Sequence, residues 1–318
     1  MSRYAIGRLA RLKRQLLGLA TALMAATAAA APVPPLDQAV QTVPGFGDFL
    51  AVAGRTVWLT NKGRVERWSR QGKRTEVAMA HPCGAMVVAA GSLWVADCAD
   101  RTVDRIDLGT ARITATVATG IARPDGELNV VAGAGSIWVA SDAAGVVARI
   151  DPATNRVTAT VAVDPETSYL AFGFGALWAV SSAQHSLQRI DPATNVVTAK
   201  TSLGRQPGFL AAGEGSVWVQ EQGDGTLARI DPVNGAVTGR VKIGADLLYG
   251  DIDTGGGAVW VRTTADQIYV MVDPKSLAVI ARVGKPSGSG ALRYTERGVW
   301  TTAHDVHTLS WWTRGAAK

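Results

Sequence analysis

The chain has few of the residues from which catalytic and metal-binding sites are usually built. Its 318 residues include four histidines and two cysteines, and aromatic residues make up 6%. The sequence contains no catalytic triad, no phosphate-binding loop, no calcium loop with alternating acidic residues and no complete set of metal ligands. We therefore predict no metal site and no evident cofactor.

A surplus of charge of one sign is also missing once the N-terminus is set aside. The net charge is +6, but five of the 32 basic residues lie in residues 1–31 with no acidic one, which leaves 27 basic against 26 acidic residues. Proteins that bind nucleic acids need a clustered basic face that neutralises phosphates. Because no such cluster remains, we expect no nucleic-acid partner.

Residues 1–31 have the pattern of a secretory signal peptide. Basic residues precede the apolar run Leu16–Ala30, which ends in an alanine tract before Pro32. The alternative is a membrane anchor, but the run is shorter than the roughly 20 apolar residues of a spanning helix. We predict a mature chain of residues 32–318 that has no transmembrane segment and is periplasmic or secreted.

The two cysteines are an even count in a chain predicted to be exported, which favours a disulfide. Cys83 and Cys98 flank a predicted hairpin whose turn is Gly91-Ser92. Folding the hairpin brings residues 83–85 opposite residues 98–100, close to the Cα separation that a disulfide needs. Two free thiols and a two-cysteine metal site remain the alternatives.

Seven tryptophans recur at nearly constant intervals, each after a small-residue turn and before a short apolar run. They are Trp58, Trp94, Trp138, Trp178, Trp218, Trp260 and Trp300. A period of roughly 40–50 residues is typical of propellers and other repeat arrays. Each unit predicts four short strands; in the clearest one these are Leu128–Ala132, Ile137–Ser141, Val146–Asp151 and Val157–Val163. Four antiparallel strands repeated in this way form a propeller blade.

The seventh unit lacks a fourth strand, because the chain ends soon after the predicted strand Val306–Trp312. Gln38–Val43 alternates like the fourth strands elsewhere and precedes the first blade. We predict that it supplies the missing outer strand and closes the ring, which leaves no long unprotected edge. The predicted fold is all-β: a single seven-bladed β-propeller.

The repeat phrase from Arg149 to Val161 resembles the YVTN-type β-propeller repeat, as do residues 189–200 and 229–240. The phrase Gly-x-Gly-Ser-hydrophobic-Trp-Val and the stretch from Gly213 to Gly225 resemble exported bacterial propellers that are grouped with streptogramin (virginiamycin B) lyase. The resemblance covers roughly residues 36–312. It implies a propeller fold, whereas propellers host unrelated activities.

The lyase resemblance would imply a metal-assisted elimination, with histidine and glutamate in the central channel acting as acid and base. None of the four histidines stands in a flanking pattern that matches the catalytic positions of the lyase. They are His81, His185, His304 and His307. Ordinary loop or capping roles are therefore the preferred explanation of these histidines.

Features that recur from blade to blade are interpreted as scaffold. The Arg-Ile-Asp phrase, as at Arg149–Asp151, precedes a turn in which the aspartate accepts backbone N–H groups. The seven tryptophans are predicted to be buried anchors between blades rather than ligand platforms. Function is instead expected where blades differ, on the face formed by the cross-blade loops and by the loops between second and third strands.

Alignment of the blades on their tryptophans locates the differences. Nine residues before each tryptophan stand Phe49, Ala85, Asn129, Tyr169, Phe209, Asp251 and Ala291. Two residues later the position is uncharged in five blades, but it is Asp253 and Arg293 in the last two. Asp253 and Arg293 either form a functional pair that lines the channel or simply neutralise each other's charge as part of the scaffold. Buried charges are normally paired in this second way.

We therefore predict a ligand site at the channel mouth, on the Cys83–Cys98 face. Glu127 and Asp251 contact the ligand, Phe49, Tyr169 and Phe209 are apolar walls, and Asp253 and Arg293 lie below. Such carboxylates favour a cationic or hydroxyl-rich ligand. Replacing Glu127 and Asp251 by alanine is expected to remove binding while the melting temperature stays nearly unchanged.

The predicted function is binding of a small polar molecule, or of a peptide or protein partner, by a monomer without chemistry of its own. The alternative is a lyase or hydrolase of the streptogramin B lyase type, acting on a cyclic or peptidic compound and requiring Mg²⁺.

Overall fold

The structure, a computed structural model, describes residues 36–123, 125–140, 143–263, 269–284 and 288–314. The predicted signal peptide, residues 1–31, lies outside the described residues. The described residues fall in one compact unit and form seven four-stranded antiparallel sheets. The first strands of neighbouring sheets contact one another in sequence, and the first strand of the seventh contacts that of the first. This closed ring confirms the seven-bladed propeller.

The blades are numbered in chain order. Blade 1 consists of β2 (Leu50–Ala53), β3 (Thr56–Asn61), β4 (Arg64–Ser69) and β5 (Gly72–Ala78), and blade 2 of β6 (Pro82–Ala89), β7 (Ser92–Asp97), β8 (Thr102–Asp107) and β9 (Ile113–Ala118). Blade 3 consists of β10 (Val130–Gly133), β11 (Ser136–Val139), β12 (Val146–Asp151) and β13 (Arg156–Ala162), and blade 4 of β14 (Thr167–Gly173), β15 (Ala176–Ser181), β16 (Ser186–Asp191) and β17 (Val196–Ser202). Blade 5 consists of β18 (Pro207–Gly213), β19 (Ser216–Glu221), β20 (Thr226–Ile230) and β21 (Val237–Lys242), and blade 6 of β22 (Ile252–Gly255), β23 (Ala258–Arg262), β24 (Tyr269–Val272) and β25 (Val279–Val283). Blade 7 consists of β26 (Leu292–Thr295), β27 (Gly298–Ala303), β28 (Thr308–Arg314) and β1 (Leu36–Thr42).

The N-terminal strand closes the ring as predicted. β1 is the outermost strand of blade 7 and pairs antiparallel with β28, from Leu36 opposite Arg314 to Thr42 opposite Thr308. β28 begins two residues later than predicted because a 3₁₀ turn, His304–Val306, occupies the preceding residues. A second 3₁₀ turn, Gln222–Asp224, follows β19. In the described part of the chain, no helix is long and apolar enough to cross a membrane.

The repeated tryptophans are core residues, as predicted. Six of them are at most 1% exposed, and the apolar clusters that contain them join neighbouring blades. The indole N–H of Trp138 donates to the carbonyl of Gly133, five residues earlier, at 3.1 Å, and four other blades repeat this bond. Each of these tryptophans therefore fastens its own hairpin turn and fills the space between blades.

The recurrent Arg-Ile-Asp phrase is likewise scaffold. Arg149 lies over the Trp138 ring, 4.9 Å from the centroid, and its Nη1 donates to the Pro192 carbonyl and to Asn195 Oδ1 in the next blade. Asp151 accepts from the backbone N–H of Ala153 at 2.9 Å. The hydrogen bonds that Asp151 accepts lower the pKa of its carboxyl. The phrase therefore ties one blade to the next.

Candidate functional site

A cavity of about 930 Å³ opens on the predicted face of the propeller. Its lining comes from cross-blade loops and from loops between second and third strands, and we call it the channel-mouth cavity. The side chains that bear on its chemistry are Phe46, Asp48, Phe49, Lys62, His81, Asp125, Glu127, Phe209, Tyr249, Asp251, His304 and Asp305. Its volume suits a small molecule or a short peptide segment.

Two rings of the cavity lining, Phe49 and Phe209, together with Tyr169, which packs on Phe209, form a group that we call the aromatic floor. The ring centroids of Tyr169 and Phe209 are 4.5 Å apart, and those of Phe49 and Phe209 are 6.2 Å apart. Phe49 and Phe209 are buried. A second cavity of about 210 Å³ is lined by Asp253 and Arg293, and Phe209 lines both cavities. Phe209 therefore lies at the boundary between the channel-mouth cavity and the smaller cavity.

Asp251 is held entirely by protein groups. Its Oδ2 is 2.5 Å from Arg293 Nη1 and accepts the backbone N–H of Leu292 at 3.0 Å, while its Oδ1 accepts that of Ile252 at 2.8 Å. Its side chain is 4% exposed. Asp251 thus joins blade 6 to blade 7, and these contacts change what we expect from its replacement.

The two charges predicted beneath the site have different partners from those expected. Arg293 forms its ion pair with Asp251. Asp253 instead accepts backbone N–H groups from Thr254 and Tyr294, both at 2.8 Å. Burial raises the pKa of Asp253, and the nearby charge of Arg293 opposes that rise. Both side chains are therefore satisfied within the protein.

Glu127 is different, because its Oε2 is shielded from solvent and has no hydrogen-bond partner among the described residues. Burial, reinforced by the charge of Asp251, raises the pKa of its carboxyl to about 7. The loop before it is well anchored: the backbone N–H of Arg123 donates to the Cys98 carbonyl at 3.0 Å, and its guanidinium bonds Ser168 and Glu166. Glu127 thus lines the cavity with a carboxyl group whose Oε2 is shielded and unpartnered in the described structure.

Further acidic groups face the same cavity. Burial, together with the charges of Glu127, Asp251 and Asp305, raises the pKa of Asp48 well above its usual value. Asp305 lies with its Oδ1 2.9 Å from His304 Nδ1, and the His304 ring stacks on Phe46 with centroids 3.9 Å apart. Burial lowers the pKa of His304. The local potential is consequently negative.

A buried arginine interacts with these carboxylates. Arg262 is fully buried, and its guanidinium donates to the backbone carbonyls of Thr263, Gly288 and Thr302. Desolvation lowers its pKa to about 10, although Asp251, Asp305 and Asp48 oppose that change. Arg262 therefore offsets part of the negative charge from within the blade.

The structure brings four of the predicted ligand residues together around the channel-mouth cavity: Glu127, Asp251, Phe49 and Phe209. Tyr169 packs on Phe209, and Asp253 with Arg293 lies at the smaller cavity. Sequence reasoning did not assign Asp48, Asp305 or Arg262. A signal for Arg262 existed, since the residue two after the tryptophan is uncharged in the other blades: Thr60, Ala96, Ala140, Val180, Gln220 and Thr302.

The predicted disulfide is confirmed, and both of its cysteines line the channel-mouth cavity. The Cα atoms of Cys83 and Cys98 are 6.0 Å apart. A bulge between Cys83 and Val87 shifts the hairpin register, so that Cys83 stands opposite Ala96, whereas residues 83–85 were predicted to stand opposite residues 98–100. The bridge fastens the hairpin whose Cys98 carbonyl holds the Glu127 loop.

Replacing both cysteines by serine is expected to lower the free energy of unfolding by about 3 kcal/mol, because the disulfide closes a loop of 15 residues. Urea denaturation of the oxidised protein and of the double variant measures the difference. As a control, the reduced wild-type protein should match the variant. Two alkylatable thiols in the unreduced, denatured protein would contradict the assignment.

The sequence matches no protein-family model and no curated protein. Solved structures with a similar fold include virginiamycin B lyase from Staphylococcus aureus, as a catalytically inactive histidine-to-alanine variant with quinupristin. It is 15% identical with a TM-score of 0.75, and the match covers 88% of this chain and 99% of that one. A streptogramin B lyase structure is 13% identical with a TM-score of 0.74, covering 87% and 98%.

The fold is also shared with a protein of another class, the Pan2 WD40 domain of Neurospora crassa. It is 13% identical with a TM-score of 0.68, and the match covers 86% of this chain and 90% of that one. At such low identity, the likeness establishes the propeller fold alone.

Proposed function

We propose that this chain is an exported propeller of the YVTN type that binds a small polar molecule or a peptide segment in the channel-mouth cavity, without chemistry of its own. The observation that carries the proposal is Glu127 Oε2, which lies buried in the cavity wall without a hydrogen-bond partner. A buried polar atom without a partner costs free energy. A donor on the ligand would remove that cost.

The contrast with Asp251 supports this assignment. Both carboxylates line the same cavity, but Asp251 has an arginine and two backbone N–H groups. A scaffold carboxylate is satisfied within the protein, whereas a ligand-binding one keeps its acceptor free. Functional groups are commonly retained at such a cost in stability.

Export is part of the proposal. The signal-peptide pattern of residues 1–31 predicts secretion, and a disulfide between Cys83 and Cys98 is typical of an oxidising compartment. We propose a periplasmic or secreted monomer.

The lyase alternative rests on the fold likeness. Carboxylates would suit Mg²⁺, which prefers oxygen ligands. Among the described residues, however, no three His, Cys, Asp or Glu side chains form a group that could hold a metal ion. The described residues therefore present no three-ligand group for a resident metal ion. Turnover of a streptogramin B compound by the purified protein, abolished by EDTA, would favour the alternative over binding alone.

Glu127→Gln is expected to abolish ligand binding and to raise the stability of the protein. The folded-state pKa of Glu127 is raised, so its ionisation destabilises the fold as pH rises from about 4.5 towards 7. At pH 8 the variant should be more stable than wild type by about 1–3 kcal/mol, and near pH 4 the two should be equal.

Native mass spectrometry of the protein as purified tests ligand binding. Thermal melts at pH 8 and near pH 4 test the change in stability. Glu296→Gln, in the exposed turn between β26 and β27, is the matched control and should change neither result. A co-purified mass retained by Glu127→Gln, or a variant less stable at pH 8, contradicts the proposal.

A further inference from the structure

We propose that the ligand of the channel-mouth cavity carries an alkylammonium group, which binds the Glu127 carboxylate above the aromatic floor. The inference rests on the proposed function and narrows it to one chemical class. Three observations carry it: the unpartnered Glu127 Oε2, the excess of carboxylates in the cavity lining, and the aromatic rings below.

Carboxylates outnumber basic side chains around the cavity. Its lining contains five of them, Asp48, Asp125, Glu127, Asp251 and Asp305. Within the described residues, Lys62 is the one lysine or arginine of the lining, and its Nζ lies 5.5 Å from the Phe46 ring centroid. Arg293 is engaged with Asp251, and Arg123 with Ser168 and Glu166. The described lining therefore carries more acidic than basic side chains.

A neutral hydroxyl and an ammonium group would act differently on Glu127. Either can donate a hydrogen bond to Oε2, but a hydroxyl leaves the negative charge of the carboxylate uncompensated in a shielded position. An ammonium group supplies both the donor and the opposite charge, as in other charge-assisted hydrogen bonds. The charge of the site thus favours an amine over a sugar or a polyol.

The aromatic rings suit the same group. Phe46, Phe49 and Phe209 line the cavity, and Tyr169 packs on Phe209. Aromatic faces attract cations and also cover the carbon chain that carries the charge. A carboxylate beside aromatic rings is therefore a site for an amine with an apolar body, whether a free amine or a lysine side chain of a peptide.

The titratable side chains around the cavity make the affinity for the ligand depend on pH. The groups facing Glu127 are Asp251 from the β22 side, Asp48 from the crossing into blade 1, Tyr169 from β14, and Arg123 on its own loop. Burial raises the pKa of the Tyr169 phenol, which stays protonated, and Asp251 is held by Arg293. Burial raises the pKa of Asp48, and the charge of Glu127 adds to that rise.

Three probes test the charge of the ligand: phenethylamine, 2-phenylethanol and phenylacetate. They have the same phenyl group on a short carbon chain and are cationic, neutral and anionic, respectively. Titration calorimetry at pH 8 should show phenethylamine binding at least tenfold more tightly than either analogue. Its affinity should fall about tenfold from pH 8 to pH 6, as the ionised fraction of a group with a pKa near 7 falls. Acetyl-lysine amide against acetyl-norleucine amide tests the peptide source in the same way.

Glu127→Gln should weaken phenethylamine binding at least tenfold and flatten the pH profile, while the exposed-turn control Glu296→Gln should leave both unchanged. Equal binding of the amine and the alcohol, unaltered binding by Glu127→Gln, or no binding of either amine at 10 mM overturns the inference. A neutral ligand that co-purifies with the wild-type protein but not with Glu127→Gln would contradict the ammonium assignment alone. The proposed function would then remain supported.

Discussion

Asp251→Ala is expected to destabilise the propeller by about 3 kcal/mol, the cost of leaving a buried ion-pair partner uncompensated. The variant leaves Arg293 without its ion-pair partner and removes the acceptor of the Leu292 and Ile252 N–H groups. Urea denaturation measures the loss. Asp246→Ala, at an exposed position in the preceding loop, is the control and should cost little.

The pairing itself is tested by a second substitution. Arg293→Leu in the Asp251→Ala background should recover part of the lost stability, since it removes the unpaired charge. A double variant that is as unstable as the sum of the single ones shows that the ion pair is not the cause. An unchanged melting temperature for Asp251→Ala alone would restore the expectation, based on sequence, that this residue serves only the ligand.

Removal of residues 32–44 is expected to destabilise the whole domain by several kcal/mol. The deletion eliminates the ladder between β1 and β28, at about 1 kcal/mol for each hydrogen bond. It also removes Val43, which is 1% exposed and packs against blades 1 and 7. The uncovered edge of β28 should promote aggregation.

Thermal melts and light scattering compare the truncated and full-length proteins. A peptide of residues 32–44, added in excess, should restore the melting temperature of the truncated protein by pairing with β28. A scrambled peptide of the same composition is the control. The closure scheme is wrong if the truncated protein melts at the same temperature as the intact one.

Sequence predicted the fold more closely than it predicted the site. The bounds of β12, Val146–Asp151, agree with the prediction for the clearest repeat, and the outer strand of blade 7 is the predicted N-terminal one. Errors occurred where local geometry is irregular, such as the bulge beside Cys83 and the 3₁₀ turn before β28. Neither feature alters the alternation of residues from which strands are recognised.

The site was predicted as a region, and its chemistry was assigned only in part. Alignment of the blades brought Asp251, Asp253 and Arg293 to notice, but it paired Arg293 with the wrong aspartate. Equivalent positions in neighbouring blades are close in space, yet the partner of a long arginine side chain depends on how the blades are tilted and packed. A repeat alignment carries no information on that geometry.

The sequence by itself determined the blade, its repetition and the residues that hold it together, because those contacts are local. Trp138 bonds a carbonyl five residues away, and Asp151 bonds an N–H two residues away. Tertiary structure alone decided which carboxylate is satisfied. Asp251 is paired with Arg293, 42 residues further along the chain, while Glu127 Oε2 has no donor among the described residues. Such partners depend on the closure of the ring, since only then do loops from several blades enclose one cavity.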